Sequence, residues 1–94
     1  MSDFQDVNRM GWELLIHKYL YYVIHQPILE DWEFDILEKE WELKSGRESE
    51  VGFPLNKPSA QLIIQHGPMV AKSNILSNLE ERRDQIHQWR SKYV

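Results

Sequence analysis

Apolar side chains recur at helical spacing in three stretches of this chain, and breakers separate the stretches. Between Val7 and His25, Trp12, Ile16, Tyr19, Leu20 and Val23 fall on one arc at 100° per residue, with Leu15 at its edge. The pattern predicts a first helix over those residues, with that arc as its core face. Gly11 weakens it near the start, and the polar residues 1–6 are expected to fray. Tyr21 falls off the arc, on the far side with Leu14, His17 and His25. Tyr22 sits at the other edge, near Leu15 and Lys18.

Gln26-Pro27 ends this helix, because proline lacks an N–H and restricts the residue before it. A second helix is predicted from Asp31 to Lys44. Glu30 is a poor cap by residue type, but Glu33 and its acidic neighbours suit a helix N-terminus. Asp31, Phe34 and Asp35 stand at i, i+3 and i+4 and so share one face. Leu37 and Trp41 extend an apolar stripe with Ile36 beside it, and the short connection makes the pair an αα-hairpin. Ser45-Gly46 closes the second helix, with Gly46 as its C-cap.

Residues 45–59 carry two glycines and two prolines and read as an extended connection. Gln61-Leu62-Ile63-Ile64-Gln65 reads as a short strand or extended arm, broken by Gly67-Pro68. Ser77-Asn78-Leu79-Glu80 fits a capping box, and Leu79, Ile86, Trp89 and Tyr93 then form one stripe. Arg90 and Lys92 suit the negative end of that helix. The expected architecture is a mostly α, single compact domain. It comprises a helical hairpin over 1–46, an extended connection over 47–73 and a C-terminal amphipathic helix over 74–94.

Composition narrows the function classes. Ninety-four residues make one domain at most, with a modest core. The absence of cysteine excludes disulfides, thiolate metal sites and a cysteine nucleophile. No apolar run is long enough to span a bilayer, and the N-terminus lacks a basic-then-apolar signal, so a cytoplasmic location is expected. The net charge of −4 argues against a stand-alone DNA binder. Charge is uneven: residues 30–50 hold nine acids against three bases, and residues 53–94 hold six bases against three acids. The basic half faces solvent, nucleic acid or an acidic partner.

Tyr21 is the most informative single residue. A surface tyrosine half-covered by the next helix would account for it. So would a stacking platform for a flat cationic ring, worth on the order of 1 kcal/mol. Asp31 and Asp35 likewise either complement the helix dipole or accept hydrogen bonds from ligand hydroxyls or an amide. Ionised carboxylates are unsuited to phosphate. His17, His25, His66 and His87 make a weak metal case, since His17 and His25 lie about 12 Å apart along one helix. The chain contains no Gly-rich phosphate loop and no Gly-x-Ser-x-Gly elbow.

The hairpin resembles the N-terminal Ia domain of bacterial NAD-dependent DNA ligases. That family carries a helix ending in a Tyr-rich stretch, a proline a few residues on, and an Asp-x-x-Tyr-Asp helix start. The corresponding positions here are Tyr19 to Val23, Pro27, and Asp31-Trp32-Glu33-Phe34-Asp35. A weaker similarity continues through Val51-Gly52 and through His66-Gly67-Pro68-Met69. It extends to Ser73-Asn74-Ile75-Leu76-Ser77, followed by Glu80-Glu81. Val51-Gly52 resembles the Val-Gly that follows the Ia domain, and the later segments resemble the opening of the adenylation domain.

The resemblance implies binding of NAD through its nicotinamide mononucleotide half. It implies that Tyr21 stacks on the nicotinamide and Tyr22 reaches the ribose or phosphate. Asp31 and Asp35 would bind ribose hydroxyls and the carboxamide. Phe34 stands where the family has tyrosine, keeping the ring but losing a hydroxyl. Val70-Ala71-Lys72 replaces the usual Ser-Leu, and no Lys-x-Asp-Gly occurs. The expectation is therefore a non-catalytic NAD or nicotinamide mononucleotide-binding module, not an enzyme on its own. It would be a relic or subunit of a split ligase, as a small phage protein would be. The alternative is an interaction or inhibitor protein that reuses the hairpin as a scaffold. In either case the C-terminal stripe docks on the hairpin or on a protein partner, nucleic acid is met only indirectly and no membrane is involved.

Overall fold

The first apolar arc forms a longer helix than its periodicity predicts. A computed structural model describes residues 2–93, with side chains from Gln5 onward. Helix α1 spans Ser2–Tyr19 and continues into a π-helical turn, Leu20–Ile24. Residues 2–6 are thus helical rather than frayed; Met1 and Val94 lie outside the described residues. His25 closes the turn in the left-handed region at φ 62°. The Gln26 N–H then donates to the Leu20 carbonyl at 2.9 Å, and Pro27 carries the chain away.

Helix α2 spans Asp31–Ser45, as the acidic start and Gly46 predict. Glu30 caps it better than its type suggests, because its backbone N–H donates to Glu33 Oε1 at 2.9 Å. Gly46 takes φ 70° and its N–H donates to the Glu42 carbonyl, which ends the helix.

The segment expected to be extended is helical from Pro58. Helix α3 spans Pro58–Leu76, with a sharp kink at Gly67 (φ 85°, ψ 174°). Proline at the first helical position costs no hydrogen bond. Ala60, Ile63, Ala71 and Ile75 then bury one helical face against Ile16, Tyr19 and Leu20. The Leu62-Ile63-Ile64 run looks strand-like in isolation, but packing against α1 overrides that local preference. The extended connection shrinks to residues 46–57, and Gly67-Pro68 marks a bend inside a helix rather than the end of a strand.

Helix α4 spans Leu79–Trp89 and ends in a 3₁₀ turn, Arg90–Lys92. The expected capping box at Ser77 does not form: Asn78 is the N-cap residue, and Ser77 is helical in conformation. Asn78 instead reaches α1, donating to Glu13 Oε2 at 3.1 Å and accepting from Arg9 at 2.8 Å.

Helix α1 serves two cores, so its buried residues do not lie on the single arc that periodicity predicts. Met10 and Leu14 meet Leu29, Ile36, Leu37 and Ile86 on one side, while Ile16, Tyr19 and Leu20 meet α3 on the other. Leu14 and His17, on the far side by periodicity, are therefore buried. Val23, placed on the core arc, is exposed, because the π turn shifts the helical phase before it. Trp12 is half-exposed. Gly11 has a packing reason: a Cβ there would lie 3.0 Å from Trp41 Nε1.

The stripe on α4 docks on the hairpin. Ile86 is fully buried, and Leu79, Trp89 and Tyr93 pack around the same cluster. Buried carboxylates pin this contact. Arg82, buried, donates to Glu13 at 2.7 Å and to Asp6 at 2.8 Å. Arg83 grips Glu33 through two bonds of 3.0 and 2.8 Å. Glu40, fully buried, accepts from the Tyr93 hydroxyl at 2.7 Å and from Lys92 at 2.9 Å. No helix among the described residues is long and apolar enough to cross a membrane.

Candidate functional site

The turn between α1 and α2 shapes a cup. The π turn opens the end of the first helix, so that the neighbouring residues Tyr21 and Tyr22 both face the cup. Their rings meet edge to face, with centroids 4.9 Å apart and planes at 74°. Pro27 and Ile28 form one wall, and the first two turns of α2 form the other. The cavity holds about 470 Å³, within the range of small-molecule sites.

All five residues nominated from the sequence, Tyr21, Tyr22, Asp31, Phe34 and Asp35, line this one cavity. Tyr21 and Tyr22 are 45% and 46% exposed, so their rings remain open to a ligand. Asp31 and Asp35 are exposed, and Phe34 is half-buried between the cup and the core.

Six further residues line it, His17, Pro27, Ile28, Leu29, Trp32 and Glu38, and three of these, His17, Trp32 and Glu38, bring polar or aromatic groups that the sequence reading does not place there. His17 carried a signal: it lies one turn before Tyr21, on the same side of α1. Glu38 lies one turn beyond Asp35, but its place depends on the loop. It accepts from Ser49 Oγ at 2.6 Å and stands 3.6 Å from Lys18 Nζ. Trp32 is held from α4 and the turn after it: the His87 ring lies 4.8 Å away, tilted at 57°, and Arg90 lies over the Trp32 ring at 4.5 Å.

The lining carries three carboxylates and no lysine or arginine. Asp35 shares its charge with Lys39 at 3.2 Å, whereas Asp31 has no ion-pair partner among the described residues. His17 is 4% exposed, and its Nδ1 has no hydrogen-bond partner among the described residues. Burial, reinforced by the nearby Arg83 charge, lowers the imidazole pKa to about 4, so it is neutral at pH 7.

The ionic residue beneath the cup is Glu33. Burial pushes its pKa up. Hydrogen bonds from Arg83, from the Glu30 N–H and with His87 outweigh burial and hold it at about 2. Glu33 is 1% exposed and fully engaged, so its role is to anchor α4 under α2 rather than to meet a ligand.

A cup of this kind can stack a flat cation and accept hydrogen bonds from hydroxyl or amide groups. Its lining holds no serine, threonine or lysine. Among the described residues, no group of three or more His, Asp or Glu side chains stands close enough to hold a metal ion. Ala71 is buried between α3 and α1, away from the cup, and Lys72 is half-buried. No protein-family model, curated protein or solved structure matches the chain.

Proposed function

We propose that this protein is a non-catalytic binding module for the nicotinamide end of NAD, similar in its hairpin to the Ia domain of NAD-dependent DNA ligases. The observation that carries the reading is the convergence of Tyr21, Tyr22, Asp31, Phe34 and Asp35 on one cavity of about 470 Å³. A tyrosine face attracts a pyridinium ring. Acceptor-only carboxylates suit ribose hydroxyls and a carboxamide. The chain lacks a Lys-x-Asp-Gly motif to accept an adenylyl group, which fits a subunit of a split ligase or a small phage accessory protein in the cytoplasm.

Calorimetric titration with NAD, nicotinamide mononucleotide and AMP tests this. The cup is open on one side, so affinity near millimolar is expected, about −4 kcal/mol. NAD and the mononucleotide should both bind, and AMP should not. Tyr21→Ala should abolish binding, and Met69→Ala, at a distant exposed position, should leave it intact. Tight AMP binding, or indifference to Tyr21→Ala, would overturn the reading.

A second reading has its own observation. Around the kink of α3, Leu62, Val70 and the half-exposed Trp12 line an apolar cavity of about 510 Å³, and Met69 beside it is exposed. An apolar surface of this kind suits a protein partner, so the fold would serve as an interaction or inhibitor scaffold. Retained partner capture by a Tyr21→Ala variant that no longer binds nucleotide would favour it.

A further inference from the structure

We propose that the cup selects a phosphate-free pyridinium nucleoside, a delocalised cationic ring on a neutral sugar, over the 5′-phosphorylated form. The proposal rests on the nicotinamide reading and adds the charge state of the ligand. Around the cavity stand Asp31, Asp35 and Glu38, with no lysine or arginine in the lining. The cations nearest to them are already committed. Lys39 lies 3.2 Å from Asp35, buried Lys18 lies 3.6 Å from Glu38 and bonds Ser49 and the Glu50 carbonyl, Arg83 is bonded to Glu33, and Arg90 lies over the Trp32 ring at 4.5 Å.

The N-terminus of α2 would ordinarily attract an anion. Here Asp31 and Glu33 occupy its first turn, and Glu33 accepts the Glu30 N–H. A phosphate entering the cup would thus shed water beside three carboxylates without gaining a charged donor. A cationic ring meets the opposite situation, with the Tyr21 and Tyr22 rings and the uncompensated Asp31 all favouring it.

His17 adds no charge to this lining. Its imidazole borders the cavity from α1 and is more than nine-tenths buried; Nδ1, without a partner among the described residues, is itself sealed from solvent rather than open to the cup. The lowered pKa of about 4 keeps His17 neutral, so it contributes no positive charge toward a phosphate.

The test is calorimetric titration of the full chain with nicotinamide riboside, nicotinamide mononucleotide and NAD, at about 0.02 M and about 0.5 M salt. The riboside should bind roughly tenfold more tightly than the mononucleotide at low salt. The gap should shrink at high salt, because screening weakens the repulsion of the phosphate. Asp31→Asn should narrow the gap, and Asp35→Asn should do the same independently. Equal or tighter binding of the mononucleotide at low salt would overturn the selectivity while leaving the nicotinamide reading standing. Failure of all three ligands to bind would overturn that reading, and the selectivity with it.

Discussion

Replacing Arg83 with alanine should unlock α4 from the hairpin at neutral pH and matter far less in acid. Arg83 makes two hydrogen bonds to Glu33, whose carboxylate is 1% exposed. The native environment lowers the Glu33 pKa from 4.5 to about 2. A shift of that size corresponds to about 3 kcal/mol of stability at pH 7. The variant keeps the Glu30 N–H and His87 contacts, and the Arg83 side chain is itself 37% exposed, so part of this survives or was screened by solvent. The expected loss is about 2 kcal/mol, against a total stability of roughly 5–14 kcal/mol for a chain of this length. The folded pKa lies below the unfolded one. The contribution is therefore complete well above pH 4.5 and is lost as pH falls through about 2.

Urea unfolding followed by tryptophan fluorescence measures this, because Trp32, Trp41 and Trp89 all flank the affected core. The wild type and Arg83→Ala should differ by about 2 kcal/mol at pH 7 and by under about 1 kcal/mol at pH 2. Removing the carboxylate as well, in the Glu33→Gln/Arg83→Ala pair, should recover part of the loss, since a buried amide needs no counter-charge. A difference below about 0.5 kcal/mol at pH 7, or one unchanged between the two pH values, would refute the assignment of Glu33 as the ionic anchor.

Tyr93→Phe should cost about 1–2 kcal/mol, because it removes the hydroxyl that donates to fully buried Glu40; a shift of the urea midpoint without a change of slope reports it. In the wild type that hydroxyl should ionise only near pH 12, seen by ultraviolet titration, because burial and the Glu40 carboxylate both oppose its deprotonation. Gly67→Ala should cost about 1–3 kcal/mol although open space surrounds the position, because φ 85° with ψ 174° is a conformation that glycine adopts almost alone; thermal unfolding measures it. Incubation with NAD should leave the intact mass unchanged, because the chain carries no Lys-x-Asp-Gly lysine; an AMP-sized gain would contradict the non-catalytic reading.

Periodicity, caps and breakers by themselves determined the helical class, the hairpin and its proline turn, the span of α2 and its Gly46 cap, and the stripe on α4. These are local properties, set within a few residues along the chain. The cup was legible for the same reason. Its five nominated residues lie on two helices joined by a short turn, so their proximity follows from helical phase and loop length.

Other features depended on tertiary structure. The helix over Pro58–Leu76 forms where β-branched residues suggested an arm, because only α1 supplies the surface that buries Ala60, Ile63, Ala71 and Ile75. Helix α1 carries two buried faces because α3 covers one side while α2 and α4 cover the other, and no single apolar arc records that. The acids of α2 are not told apart by their spacing along the helix. The arginines and the terminal lysine and tyrosine, about fifty residues later in the chain, decide which of them are buried anchors, Glu33 and Glu40, and which are left to the cup, Asp31 and Asp35. A carboxylate can leave water only where a donor meets it, and those donors come from a helix distant in sequence.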